Sequence, residues 1–517
     1  MIERELKLSI TETQERRLRA ILRSGAVACG RPVRRTLSTI YYDTNDGDLE
    51  SAGLSLRVRR QGRIWTQTVK SRDTGMNGLS TARELNCPAP GGRLCIDAIP
   101  DPALRDRLLT VLGGKPLQPC STHHVRRTAY EALPEAGTRI EVVIDAVEVR
   151  ARDHVAHFRE VEIELLEGRA QGIFMVARTL FPDGGIRFST LSKAQRGALL
   201  AREGIVSPVL EPRQARSVRL DAAVTVESAA QDVLRECVSQ ITANIDVSLT
   251  SDGPTGPHQL RVGLRRLRTA LAVFDALAPR NSRSAELAAQ ARWLAAQVGQ
   301  LRDVEVTRLQ SVLPELDRHE HDAGFLRLSV ALEQYERELR QSVRAHLVCA
   351  RVHRFLFDLI EYVELRGWLD QEDLDQTARL AEPVGQYASR VLAQRWRRVR
   401  RRGGELDGLD IEQRHELRKS LKKLRYAAEF FASVFEKRKP RRFLRRLAKL
   451  QTVFGDLNDA ALVERLLSNA PCLADDDPAL QRACGWIMGG RFTRSELTWQ
   501  RVDTLWQGLE CTRTFWR

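Results

Sequence analysis

The chain has 517 residues, 43% hydrophobic and 29% charged, ordinary globular values that exclude wholesale disorder and low-complexity architecture and favour two to four domains. Lys and Arg number 82 against 67 Asp and Glu, a formal net charge of +15, which favours anionic partners without naming one. No apolar run reaches about 18 residues, and the acids of the opening MIERELKLSI do not read as a secretory signal. Cys29, Cys87, Cys95, Cys120, Cys237, Cys349, Cys472, Cys484 and Cys511 form no CxxC pair, so they read as reduced thiols in a cytoplasmic protein and not as a disulfide framework or zinc site.

Residues 1–200 alternate with period two in IERELKLSI, LSLRVRRQ, WTQTVKS, RIEVVID and FREVEIELL, which predicts strands. Helical patterns interrupt near 11–24, 101–112, 170–181 and 191–203. The stretch GIVSPVLEPRQARS at 204–217 carries two prolines and loses periodicity, so a linker at 206–217 is expected between a domain at 1–205 and a helical one at 218–510. Within the helical part, HQLRVGLRRLR from His258 is repeated as HELRKSLKKLRY from His415. About 40 residues later VGQLRDVEV around Asp303 is matched by FGDLNDAAL around Asp459. A duplicated unit, about 218–370 and 375–510, predicts two up-and-down helical bundles.

On a strand, side chains two apart share a face. Glu3, Glu5 and Lys7 therefore point together, away from Leu6 and Leu8; Glu160, Glu162 and Glu164 point away from Val161, Ile163 and Leu165. Arg57 and Arg59 share another face and Lys70 ends the next strand. Solvated faces mix signs, whereas these strands are purely acidic or purely basic on the polar side, so a barrel with a charged interior is expected. Facing carboxylates raise each other's pKa unless cations or a divalent metal lie between them. Adjacent histidines on a strand face opposite ways, and His123, His124, His154 and His157 meet no metal-ligand spacing; they read as surface or loop residues.

ExExK in the first strand, YYDT at 41–44, LRVRR, the Glu-x-Glu-x-Glu strand and LSKAQRG occur in the order of the CYTH domain, a triphosphate tunnel metalloenzyme, which residues 1–200 resemble. The resemblance implies an eight-stranded antiparallel tunnel with flanking helices, holding a triphosphate lengthwise with Mg²⁺ or Mn²⁺. It implies metal binding by Glu3, Glu5, Glu162 and Glu164, phosphate binding by Lys7, Arg57, Arg59, Lys70, Arg126 and Lys193, and catalytic roles for Glu5, Glu164 and Lys70. Arg127 stands beside Arg126, and alternation lets only one of them enter. The implied reaction is hydrolysis of inorganic triphosphate to phosphate and diphosphate, with no protein nucleophile. An organic triphosphate (thiamine triphosphate or ATP, hydrolysed or cyclised) and a non-catalytic role in binding polyphosphate or nucleic acid are the alternatives.

At about 100° per residue, His258, Arg261, Arg265 and Arg268 fall within about 80° of arc, opposite Leu260, Leu264, Leu267, Leu271 and Phe274. His415, Arg418, Lys422 and Arg425 repeat the stripe against Leu417, Leu421, Leu424 and Phe431. The stripes carry no alternating acids, so their charge is expected to be uncompensated and to meet a polyanion. HxLRxxxBBLR in duplicate, where B is Arg or Lys, resembles the CHAD domain over 218–510, which implies an inorganic polyphosphate partner for these eight residues, with nucleic acid and membrane not expected. RWRRVRRR at 395–402 and RKPRRFLRRLAK at 438–449 read equally as extensions of that surface or as solvated helix. Their Trp396 and Phe443 are too sparse for a base-stacking platform. The fold class is α+β multidomain: a β tunnel, then an all-α domain of two repeated bundles.

Overall fold

A computed structural model describes all residues except 1, 28–29, 77, 275–281, 371, 405, 407, 437, 474–476 and 517. Cys29 lies outside the described residues, and the other cysteines are free thiols. The chain falls into two compact units, residues 1–210 with 348–361, and residues 211–347 with 362–517. No helix among the described residues is long and apolar enough to cross a membrane.

In the first unit the alternating segments become β1 (Ile2–Ser9), β2 (Val33–Asp43), β3 (Leu54–Gln61), β4 (Ile64–Met76), β5 (Leu79–Pro88), β6 (Gln118–Glu135), β7 (Thr138–Ala151) and β8 (His154–Glu167), with a two-residue β9 (Arg187–Phe188). Their order is β5-β4-β3-β2-β6-β7-β8-β1, and β1 also pairs with β5, closing an eight-stranded barrel to which β9 adds beside β1. Every pairing is antiparallel. Closure leaves no open edge among the eight strands and gives the alternation its meaning. Leu6, Leu8, Leu56, Val58, Val69, Ile140, Val142, Ile144, Val161 and Ile163 are buried on the outer face. The helix Pro102–Leu112 covers β3 and β4 through Leu104, Leu108 and Leu112, and the helix Gln171–Leu180 covers β6 to β8. The segment 348–361 packs beside β9, with His353 Nε2 3.0 Å from the Ile186 carbonyl and Phe357 edge-on to Phe188 at 5.9 Å.

The helix Lys193–Glu203 belongs to the barrel interior. It contacts β6, β7 and β8, packs Leu200 on Val149 and Ala151, and sets Arg196 over the Phe158 ring at 4.7 Å. Its approach depends on Gly197, where a Cβ would fall 2.1 Å from Ser121 Oγ and 2.9 Å from His123 Nε2.

The described residues of the second unit form helices, with one isolated β-bridge between Thr225 and Pro383. Val226–Thr250, Thr255–Phe274, Ser282–Thr307 and Ala323–Leu347 are followed by a second set, Val384–Arg402, Ile411–Phe430, Arg438–Asn469 and Pro478–Trp499. Leu260, Leu264 and Leu267 of one repeat helix and Leu417, Leu421 and Leu424 of the other are fully buried, so the apolar arc read from the wheel is the packed one. The two sets share a core in which Val304, Phe325, Leu328 and Leu332 meet Val463, Leu467, Leu480 and Ile487. Neither repeat buries its apolar face alone.

Gly197→Ala is expected to destabilise the chain by about 2 kcal/mol or more, because barrel wall and helix are both rigid and the added methyl has no rotamer to escape by. A lowered urea midpoint at unchanged helical content is the expected result.

Candidate active site

β3 and β8 stand diametrically opposite in the closed strand order. Arg57 and Arg59 therefore face Glu162 and Glu164 across a cavity of about 530 Å³. β1 lies beside β8 with Glu5 opposite Glu164 and Lys7 opposite Glu162, which gathers the acids of two strands into one wall. Glu5, only 2% exposed, accepts hydrogen bonds from Lys70 Nζ and Ser80 Oγ, both at 3.2 Å, and lies 3.1 Å from Lys7 Nζ. Glu3 is bonded to Lys70, yet burial and the neighbouring Glu5 push its carboxyl above the usual range. Glu164 has no ion pair or hydrogen bond among the described residues; burial, Glu3 and Glu5 push it up to about 8.

Deeper in, the balance reverses. Glu162 contacts Lys7 at 2.9 Å, Arg127 at 2.8 Å and Lys193 at 2.9 Å. Against its own burial, these cations hold it well below the usual carboxylate range. Asp145, Glu160 and Glu162 place ligand oxygens within 4.8 Å of one another, but Lys193 Nζ touches all three. Arg127 also grips Asp145 bidentately at 2.9 and 2.7 Å. That trio is already neutralised, and a divalent ion there would have to expel buried cations. Glu3, Glu5 and Glu164 outnumber the cations that reach them, Lys70 being shared by the first two and Glu164 having none among the described residues, and hard oxygen donors of this kind suit Mg²⁺ or Mn²⁺.

The cations opposite are in excess. Among the described residues Arg59 donates only to Thr39 Oγ1, at 3.2 Å, and burial beside Arg57 lowers its guanidinium to about 10. Arg57 meets Glu84 at 3.2 Å, while its buried Nε has no partner among the described residues. The cavity thus has a wall short of cations and a wall short of anions.

Of the residues singled out from sequence, Glu3, Glu5, Lys7, Arg57, Arg59, Lys70, Glu162, Glu164 and Lys193 all line this cavity. Arg126 does not. It is exposed, and Arg127 is the one that enters, because β6 pairs Arg127 with the inward-facing Asp145. His123 also departs from the surface position expected of it: it is fully buried, edge-on to Tyr41 at 4.9 Å. Burial and the nearby Lys193, Arg57 and Arg59 lower it to about 3, so it is a neutral packing residue; His124, His154 and His157 are exposed. Sequence reasoning missed Glu84 and Asp145. Glu84 shares a face with Ala82 and pairs across with Lys70, a signal visible only once the strand register is known.

In the second unit the stripes of the two repeats converge. His258 and Arg265 from one, Lys422 and Arg425 from the other, line a groove of about 530 Å³. Arg266, 4% exposed, holds the two helices together by donating to Glu429 at 2.6 Å and lying 4.9 Å over the Phe430 ring. The downstream pieces reach back to their own repeats: Arg261 pairs with Asp303 at 2.9 Å, and Arg418 donates to Asn458 at 2.7 Å. Compensation is therefore greater than expected, since Arg425 also pairs with Glu429 one turn on, at 2.8 Å. Arg265 and Lys422 have no ion pair among the described residues. Burial, Arg265, Arg418 and Arg261 depress the Lys422 ammonium to about 7.

His258 is lowered to about 4 by burial and by Arg302, Arg265 and Arg261, leaving a neutral imidazole in the groove. His415 is exposed outside its lining. Arg268 is crowded by Arg292 and Arg265, and Lys423 by Arg395, Arg398, Arg268 and Lys419, so the 395–402 run adds to the cationic surface. The 438–449 run instead contributes to packing: Phe443 is fully buried and Arg446 donates to Thr512 Oγ1 at 2.6 Å.

Arg127→Ala would leave buried Asp145 with only a share of Lys193, which also serves Glu160 and Glu162, and is expected to cost about 3 kcal/mol or more. Arg126→Ala should stay within about 0.5 kcal/mol of the parent. Urea unfolding of both variants checks the assignment of the inward residue.

Residues 1–198 match the CYTH domain and residues 232–468 the CHAD domain. Over 166 residues the chain is 31% identical to an inorganic triphosphatase of Haemophilus influenzae, an alignment covering 32% of this chain and 46% of that protein. The chain thus spans about half the length of this curated relative. The crystal structure of the CHAD domain from the plant Ricinus communis is 26% identical, covering 59% of this chain and 98% of that one with a TM-score of 0.50. With the closed charged barrel and the duplicated basic helix both in place, the chain carries a CYTH domain over residues 1–198 followed by a CHAD domain over residues 232–468.

Proposed function

We propose that the tunnel hydrolyses inorganic triphosphate to phosphate and diphosphate with a divalent metal ion. The observation that carries this is the pairing of incompletely neutralised walls, Glu3, Glu5 and Glu164 sharing Lys70 and Lys7 on one side and Arg57 and Arg59 sharing Glu84 on the other, inside one closed barrel. The CYTH match and the Haemophilus triphosphatase support a triphosphate hydrolase. A chain of phosphates bonded bidentately by Arg57 and Arg59, with Lys7, Arg127 and Lys193 further along, would lie along the cavity with one terminal group toward the acids. Glu3, Glu5 and Glu164 would hold Mg²⁺ or Mn²⁺, which when bound neutralises phosphoryl oxygens and acidifies a coordinated water.

Water attacks the terminal phosphorus, the bond to the bridging oxygen breaks, and diphosphate leaves with its charge met by the arginines. Lys70, between Glu3 and Glu5, places a cation where the attacked group meets the acids. No side-chain nucleophile is required.

The intact chain with Mg²⁺ should release phosphate from inorganic triphosphate faster than from ATP; a strong ATP preference would overturn the substrate and leave the fold untouched. Glu164 is raised to about 8, so below that pH it must lose a proton before a metal can bind. Mg²⁺ affinity, followed by calorimetry, should therefore climb as the pH approaches about 8 and then level off. Glu164→Gln should weaken binding, flatten that dependence and abolish turnover without unfolding the chain.

The helical unit is proposed to bind inorganic polyphosphate without chemistry of its own. What supports this is the meeting of Arg265 and Lys422 in one groove, neither with an ion pair among the described residues, where burial and then Arg265, Arg418 and Arg261 push Lys422 down to about 7: closely spaced positive charge is relieved by a ligand whose negative charges are as closely spaced. A chain of phosphates has that spacing at every unit. Charge reversal of Arg265 and Lys422 together should release long-chain polyphosphate from the intact protein in salt that already strips RNA. Equal competition by RNA would reduce the groove to generic electrostatics.

A further inference from the structure

The helix Pro478–Trp499 buries Ala483, Cys484, Ile487, Ser495 and Trp499 on one side. On the other side it carries aromatic residues in the open: Trp486 is 56% and Phe492 65% exposed. The bland explanation, scattered surface apolars, does not account for what stands between them. A side chain at Gly485 or Gly489 would meet nothing within 4 Å. These glycines therefore weaken a helix interior for no packing need inside the unit. Trp486 is held in place, its Nε1 donating to Glu315 at 3.0 Å and its ring edge-on to His319 at 5.2 Å.

At about 100° per residue the exposed positions from Arg482 to Glu496 at three- and four-residue spacing fall within about 120° of arc, with Gly489 near the centre. Counted outward from Gly489, the face is complementary to its own reverse. Three residues before it is Trp486 and three after is Phe492; four before is Gly485 and four after is Thr493. Seven before is Arg482 and seven after is Glu496. Glu496 has no side-chain partner among the described residues, and Arg482 is bonded on one side only, to Asp322 at 2.6 Å.

We propose that this face is a self-association surface, on which a second copy of the chain packs its own Pro478–Trp499 helix antiparallel about a two-fold axis at Gly489. Each aromatic then meets the small residues of the facing helix at its own level, Trp486 near Thr493 and Phe492 near Gly485. Arg482 meets Glu496 of the other copy, twice by symmetry. The pattern selects a second copy over an unrelated helix because acid and base sit at equal distances on opposite sides of the centre. One helix pair buries area at the low end for specific association, so the dimer is expected to be concentration-dependent.

Sedimentation equilibrium of the intact chain between about 1 and about 100 μM should show monomer passing to dimer. Phe492→Glu should leave a monomer throughout. Arg482→Glu and Glu496→Arg should each raise the dissociation constant by about tenfold or more, since each sets like charges against one another. The double change should restore dimerisation, and because it also lacks the Arg482–Asp322 bond, recovery cannot come from that contact. A monomer at every concentration, a dimer indifferent to Phe492→Glu, or a double change no better than the single ones would each overturn the proposal.

Discussion

Everything in the first unit depends on closing an alternating sheet with its charged side inward. A barrel leaves inward side chains little bulk water to turn to, so each charge must meet an opposite one, shift its pKa or meet a ligand. The deep end takes the first course: Lys7, Arg127 and Lys193 interleave with Asp145, Glu160 and Glu162. Glu3 and Glu164 in the wall beyond take the second, with Glu164 raised to about 8, and Arg59 opposite does the same in the other sense. The structural part of the interior is the part that balances, and the part left unbalanced is where chemistry has room.

The helical unit solves a related problem with a duplicated helix. Each copy has an apolar arc that requires packing and a basic arc that resists approach. Burying the apolar arcs against neighbouring helices brings the basic ones together, and Arg266 makes this tolerable by joining the two copies through Glu429 and Phe430. The sequence repeat is not a structural identity. Arg266 is buried while its counterpart Lys423 sits among other cations, and Asp303 pairs directly with Arg261 where the second repeat uses Asn458 to reach Arg418.

The sorting of charge by strand parity, the helix positions near 11–24, 101–112, 170–181 and 191–203, the duplicated basic helix and the family resemblance were all legible in the chain, because each is a local periodicity. Arg126 against Arg127 was not. Parity says that only one enters, but which one depends on the register with β7, a pairing of residues far apart in sequence. His123 fell outside expectation for the same reason: a histidine on an alternating strand is inward or outward according to its partners. Glu84 escaped notice because a single acid between Ala82 and Asn86 is unremarkable until β5 is laid beside Lys70.

By itself, then, the sequence determined the elements, the sign of charge each would carry, and that two helices would present the same stripe; these follow from side-chain spacing along one strand or one helix. Tertiary structure alone decided which charges cancel. Pairing energies depend on distance across the barrel or between helices, and that distance is set by strand order, register and helix packing. Glu162 and Glu164, two residues apart on one face, therefore end far below and far above the ordinary carboxylate range: Lys7, Arg127 and Lys193 come from three other elements to surround the first, while the second has no ion pair among the described residues and has Glu3 and Glu5 as neighbours.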